Sequence, residues 1–155
     1  MSVIGIDPSV DHTCLAEWPS GRTWRTKSGG EGAARLAEIS RLMVRFALDS
    51  APDDLEAVFI ERTRGKFPKD GLLMACGVIQ ATLVIALEER FPHPVSVFEL
   101  STGTWKKRAL GNGAAKKHEV QAWAADFVEG LTEDEADALA IACAGFNMLR
   151  DGTTP

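Results

Sequence analysis

A chain of 155 residues with 45% hydrophobic and 25% charged residues has room for one hydrophobic core and the composition of a soluble globular domain. Its net charge of −5 argues against a uniformly basic nucleic-acid binder, but not against one whose charge is segregated. Three cysteines, Cys14, Cys76 and Cys143, lie far apart in apolar stretches, which argues against a disulfide framework or a Cys-x-x-Cys zinc site and for reduced core residues in a cytoplasmic protein.

Val3 to Asp7 reads as a short buried strand that ends in a carboxylate. Asp7-Pro8 is either turn chemistry or a strand end that holds something positive. Thr13 to Trp18 and Arg22 to Lys27 read as two more strands, joined by the hairpin-type turn Pro19-Ser20-Gly21. Over 31–50, Leu36, Ile39, Met43 and Phe46 recur at three- and four-residue spacing, one face of a helix. Glu56 to Glu61 (EAVFIE) is a second buried strand ending in a carboxylate. Residues 62–70 form a basic loop with Arg62, Arg64, Lys66 and Lys69 and no acid before Asp70.

Gly71 to Leu87 carries no charge. It is short for a membrane span, contains Gln80 and runs into Glu88 and Glu89, so it reads as a core or dimer-interface helix with no membrane role. After Pro92-His93-Pro94, Val95 to Leu100 forms a strand, and Ser101 caps a short helix carrying Trp105 and Lys106. A turn at 110–113 precedes a helix from Ala115 to Val128. Thr132 opens the last helix with Glu135 three residues on, a capping box. That helix runs to about Leu149, so 1–150 form one domain and 151–155 a frayed tail. Three strands, then helix and strand in alternation, predict an α/β fold with a mixed five-stranded sheet flanked by helices.

If the strands ending in Asp7 and Glu61 are neighbours, their carboxylates meet. Asp134 and Asp137 are three apart and share one face of the last helix. Ala136, Ala140 and Ile141 line a face that would press on the sheet. Four acids gathered without a cation are costly, and Mg²⁺ suits carboxylate oxygens plus water and phosphate. Two such ions can activate water and stabilise a leaving oxygen. Taken singly, each acid also has an ordinary reading, as a turn acid or, for Asp134, a helix N-terminal acid. Charge is segregated as well. Lys106, Lys107, Arg108, Lys116 and Lys117 form a basic group, while Asp126, Glu129, Glu133, Asp134, Glu135 and Asp137 crowd near the end.

From residue 3 to 147 the chain resembles the RuvC-type Holliday junction resolvases of the RNase H-like superfamily. "IGIDPS" looks like their first acidic motif, "AVFIER" the second, "WKKRALGNGAAKKHEVQ" their basic Gly-x-Gly segment, and "DEADALAIACA" their closing Asp-x-x-Asp helix. The resemblance implies a crossover junction endodeoxyribonuclease that binds two Mg²⁺ ions per site, with Mn²⁺ able to substitute, through Asp7, Glu61, Asp134 and Asp137. It implies a homodimer through the 71–90 helix, symmetric cuts in four-way or related branched DNA, and 5′-phosphate ends. Lys117 joins the four acids as a catalytic group, a lysine offsetting charge that builds at the reacting phosphate. Arg62, Arg64, Lys66, Phe67, Lys69, Lys106, Lys107 and Lys116 are the DNA-binding candidates.

Two departures matter. Ser9 stands where the family usually has Gly. Arg62-Thr63-Arg64 follows Glu61 where the family often has an aromatic wedge, and Phe67 either takes that role or packs the loop. Selectivity between a four-way junction and other branched DNA therefore stays open, and a phage-borne variant with wider range fits the pattern. Asp11, His12 and His118 read as surface residues. Trp105 reads as packing or a base-stacking platform, and Trp18, Trp24 and Trp123 as packing. An actin-like ATPase or sugar kinase needs a second domain that this length cannot supply. The remaining alternatives are a silent branched-DNA-binding protein of the same fold and a nuclease of that fold acting on RNA or RNA–DNA hybrids.

Overall fold

In a computed structural model, which describes residues 1–62, 70–153 and 155, five strands form one sheet in the order β3-β2-β1-β4-β5. The strands are β1 (Ser2–Asp7), β2 (Cys14–Trp18), β3 (Thr23–Arg25), β4 (Leu55–Glu61) and β5 (Ser96–Leu100). β1 pairs antiparallel with β2 and parallel with β4. β2–β3 is antiparallel and β4–β5 parallel. The β2–β3 turn closes with Glu17 N–H on Arg22 O at 2.8 Å and Gly21 N–H on Glu17 O at 2.9 Å, the hairpin that Pro19-Ser20-Gly21 predicts.

The helices are α1 (Gly32–Arg45), α2 (Asp70–Arg90), α3 (Thr102–Leu110), α4 (Lys117–Ala125) and α5 (Glu133–Arg150). The helix expected over 31–50 keeps its apolar face but widens into a π-helical turn at Phe46–Ser50. β3 is shorter than the expected Arg22–Lys27 strand, and α4 is shorter than the expected Ala115–Val128 helix. The Thr132–Glu135 capping box is present: Thr132 N–H donates to Glu135 at 2.9 Å and Glu135 N–H to Thr132 Oγ1 at 3.4 Å.

Strand alternation divides the core in two. Ile4, Ile6, Val58 and Ile60 pack with Ile39 and Met43 of α1 and Ile79, Leu83 and Leu87 of α2. Val3, Ala16, Ala57 and Phe59 pack with Trp105 of α3, Val120 of α4 and the alanine-rich α5. That second layer is tight. A Cβ on Gly5 would lie 2.2 Å from Ala138 O and 2.3 Å from Ala142 N, and one on Gly145 would lie 2.2 Å from the Phe59 ring. Ala136, Ala140 and Ile141 are fully buried as well, and at Gly5 the contact is made by Ala138 and Ala142. α5 is enclosed on several sides by the sheet, α3 and α4, so burial alone does not single out the face that meets the sheet.

α2 buries one face and leaves the other bare. Leu73, Met74, Val84 and Ile85 are 55%, 56%, 38% and 60% exposed. Among the described residues, α2 is the one helix long and apolar enough to cross a membrane by length and composition. It packs instead on α1 and the sheet.

Candidate active site

The parallel register Ile6↔Ile60 sets Asp7 and Glu61 at the C-terminal ends of adjacent central strands. The two-residue period decides which way they point. Asp7 shares parity with Val3 and Gly5, and Glu61 with Ala57 and Phe59, so both acids face the α5 layer. On α5, Asp134 stands one turn before Ala138, the residue whose carbonyl meets Gly5. The bare glycine in β1 thus lets the helix come close enough to bring Asp134 and Asp137 to the same sheet edge. All four acids are half-buried.

Their electrostatics show the crowding. Burial, then the charges of Glu61, Asp137 and Asp134 and a hydrogen bond with Glu61, push the Asp7 carboxyl up to about 8. Two carboxyls can hydrogen-bond only by sharing a proton. Burial and the Glu61 charge raise Asp137 to about 6 against the opposing pull of Lys106 and Lys117. Lys117 Nζ donates to Glu133 at 3.0 Å. That bond, followed by the charges of Glu133, Asp137 and Asp134, raises the lysine's pKa. Lys106 Nζ donates to Ala115 O at 2.6 Å. Cys14 lies opposite Asp7 in the β1–β2 register. Burial and the charges of Asp134 and Asp7 push its thiol up to about 12, so it stays a neutral core group.

Among the described residues, no three acidic, histidine or cysteine side chains already form a closed cage for a metal ion. The donor set still fits a hard divalent cation: oxygen atoms only, gathered negative charge, and a shared proton that a cation would replace.

Glu61 has a second set of partners that the sequence reading missed. Ser101 caps α3, its side chain accepting from Thr104 N–H. The first turn of that helix then faces β4. Thr102 Oγ1 donates to Glu61 Oε1 at 2.5 Å, and the Trp105 indole N–H donates to the same oxygen at 3.1 Å. Trp105 is 1% exposed, so it packs as expected and cannot stack on a base. The available signal was chemical: a buried tryptophan needs a partner for its N–H, and the nearest strand end is an acid.

No protein-family model matches the chain. In sequence it is 29% identical to the crossover junction endodeoxyribonuclease RuvC of Ehrlichia ruminantium, over 92% of this chain and 94% of that protein. In structure it matches Thermus thermophilus RuvC with a TM-score of 0.77 at 24% identity, covering 99% of this chain and 98% of that one. The same Thermus protein in complex with Holliday junction substrate matches with a TM-score of 0.76 at 24% identity, over 99% and 97% of the two chains. In sequence and in structure the chain is similar to RuvC-type Holliday junction resolvases. The structural likeness gives it the RNase H-like fold of RuvC, a mixed five-stranded sheet flanked by five helices.

Set on that RuvC-type frame, the predicted site residues fall into three groups. Asp7, Glu61, Asp134 and Asp137 come together, with Lys106 and Lys117 beside Asp137. Arg62, Lys107 and Lys116 have other surroundings. Arg62 pairs with Glu99 at 3.0 Å, and Gln80 of α2 donates to the same carboxylate at 2.6 Å. Lys107 lines an open depression of about 580 Å³ with Ser101, Gly103, Thr104 and Arg108. Lys116 is exposed just before α4. Arg64, Lys66, Phe67 and Lys69, including the wedge candidate, lie outside the described residues. Asp11 pairs with Arg35 at 3.0 Å, and His118 is exposed, as surface residues would be.

Proposed function

We propose that the chain is a metal-dependent, structure-specific endonuclease that cuts four-way or related branched DNA by two-metal phosphodiester hydrolysis. The observation that carries this reading is the convergence of four carboxylates with two lysines at one end of the sheet. Asp7, Glu61, Asp134 and Asp137 would hold two Mg²⁺ ions, or Mn²⁺ in their place. Bound there, such ions supply an activated water and stabilise the leaving oxygen. Lys117 and Lys106 bring positive charge to the phosphate as negative charge builds on it. Arg62, Lys107 and Lys116 hold neighbouring phosphates, with Arg64, Lys66, Phe67 and Lys69 completing the DNA surface. The products carry 5′-phosphate and 3′-hydroxyl ends.

The bare face of α2, with Leu73, Met74, Val84 and Ile85 exposed, supports a homodimer in which two such sites cut opposed strands. An apolar patch of this kind marks an interaction surface. The buried cysteines, none of them in a disulfide, suit a reducing compartment and support a cytoplasmic location.

The test is cleavage of a synthetic four-way junction, a flap, a fork and a linear duplex, with Mg²⁺ or chelator, by the wild type and Glu61→Gln. The reading expects paired symmetric nicks in the junction that vanish with chelator and with the variant. Equal cutting of flaps and forks makes the protein a general branch nuclease. Binding without cutting in any divalent metal overturns the enzyme and leaves a scaffold.

A further inference from the structure

The two bonds from α3 to Glu61 do more than tether a side chain. A carboxylate has two oxygens with about four lone-pair sites between them. Thr102 Oγ1 and the Trp105 indole N–H both donate to Oε1, at 2.5 and 3.1 Å. Those two bonds take up that oxygen, while Oε2 receives nothing from α3. The donors are rigidly based. Ser101 caps the helix, accepting from Thr104 N–H, and the Trp105 ring is buried in the core cluster it shares with α4 and α5. Lys106 lies over the Trp105 ring at 5.3 Å and is itself tied to Ala115 O.

A carboxylate with one oxygen fully occupied is a one-oxygen ligand. Cations differ in what they need. Mg²⁺ takes six ligands in near-ideal octahedral geometry and uses single carboxylate oxygens, whereas Ca²⁺ takes six to eight and accepts two oxygens from one carboxylate. We propose that Thr102 and Trp105 are positioning residues that fix Glu61 as a one-oxygen ligand and thereby tilt the site toward Mg²⁺ and against Ca²⁺. This rests on the reading of Glu61 as a metal ligand. It adds a selectivity device that the four acids alone do not supply.

The experiment is calorimetric titration of MgCl₂ and of CaCl₂ into the metal-free, full-length protein without DNA, for the wild type, Trp105→Phe and Thr102→Val. Phe keeps a buried aromatic ring and removes the donor together with some ring volume. Thr102 is exposed, so Thr102→Val tests the same oxygen with little risk to the core and decides the matter if Trp105→Phe does not fold. Loss of a partner that orients a metal ligand typically costs ~10-fold or more in metal affinity. The expected result is Mg²⁺ affinity about 10-fold weaker in Trp105→Phe and several-fold weaker in Thr102→Val, with Ca²⁺ affinity held or improved, so the Mg²⁺/Ca²⁺ preference shrinks in both. An unchanged preference in the folded variants overturns the proposal, even if both metals bind more weakly. If the wild type cuts junctions with Mg²⁺ while the variants keep its preference, only this inference falls. If the wild type binds neither metal and cuts nothing, the nuclease reading falls with it.

Discussion

On one face of the sheet, α5 lies so close to β1 that backbone atoms of Ala138 and Ala142 occupy the space where a Gly5 side chain would be. On the other face, α1 and α2 stand off on large aliphatic side chains, Ile39, Met43, Ile79, Leu83 and Leu87. The close layer carries the four gathered carboxylates and, among the described residues, the spaced layer carries no such group. Small residues fix the distance between helix and strand to within an atom's width, and four carboxylates from three elements need that precision to meet at one sheet edge. Large side chains interdigitate and fill space, which suits a layer whose task is support. The spaced layer also keeps an apolar outer face on α2, where the close layer hands its first turn to acids.

The sharpest way to break this contrast is to remove chemistry from the close layer without touching its packing. Asp7→Asn keeps the shape and deletes the carboxylate charge proposed to hold metal. Cleavage of a four-way junction in Mg²⁺ is expected to fall on the order of 10³-fold, about 4 kcal/mol of transition-state stabilisation. Junction binding in chelator, measured by gel shift, is expected to hold. Cleavage within tenfold of the wild type would mean that the strand-end acid is a turn residue after all.

The next variant attacks the spacing itself. Gly5→Ala puts a Cβ against two backbone atoms that cannot swing aside. α5 must lift, at a cost of about 3 kcal/mol, or roughly 6–12 °C in Tm for a chain of this size. Cleavage should suffer beyond the loss of folded protein, because Asp134 and Asp137 move with the helix. Thermal melts and cleavage rates at a temperature where the variant is folded separate the two effects. Full activity with normal stability would show that the close approach does not set the site.

Much of this was legible in the sequence. Period-two strands ending in acids, and an Asp-x-x-Asp opening an alanine-rich helix, carry both the topology and the four carboxylates. Ser101 and Thr132 marked helix starts because capping is local chemistry. What stayed hidden depends on three-dimensional neighbours. Gly5 reads as any small residue until α5 is laid on it. Which alanines of α5 meet Gly5 is equally hidden, because an alanine-rich helix looks alike on several sides. The Thr102 and Trp105 bonds to Glu61 span about forty residues of sequence and follow no periodicity.

A smaller effect separates the acids' electrostatics from their ligand role. Folded Asp7 holds its proton up to about 8, through burial and the neighbouring acids, whereas an unfolded aspartate releases it near pH 4. Between those values the folded state binds the extra proton. Metal-free stability is therefore highest at the acid end of that window and declines as pH rises toward 8. Allowing for solvent at a half-buried site, the decline should be about 2 kcal/mol, or roughly 5 °C in Tm. Asp137, pushed to about 6, adds in the same direction. Mg²⁺ should reverse the slope by holding the ionised acids, and Asp7→Asn should flatten it. A metal-free Tm that rises from pH 5 to 8 would contradict the crowding of these four groups.

The mildest test sets one substitution against itself on the two layers. Gly77 lies on α2, and among the described residues nothing stands within 4 Å of where its Cβ would go. Gly→Ala inside an exposed helix stabilises by about 0.5–1 kcal/mol, since alanine loses less backbone freedom on folding. The change that wrecks the α5 layer at Gly5 should thus raise Tm by a few degrees at Gly77, measured at protein concentrations where the chain is monomeric. Concentration then sharpens the comparison. Gly77 neighbours the exposed Leu73 along the apolar face of α2. If a second copy covers that face, the added methyl meets the partner, and the stabilisation seen in dilute samples should shrink or change sign as the dimer forms. A gain that stays constant across concentrations would leave Gly77 facing water and put any dimer contact elsewhere on the helix.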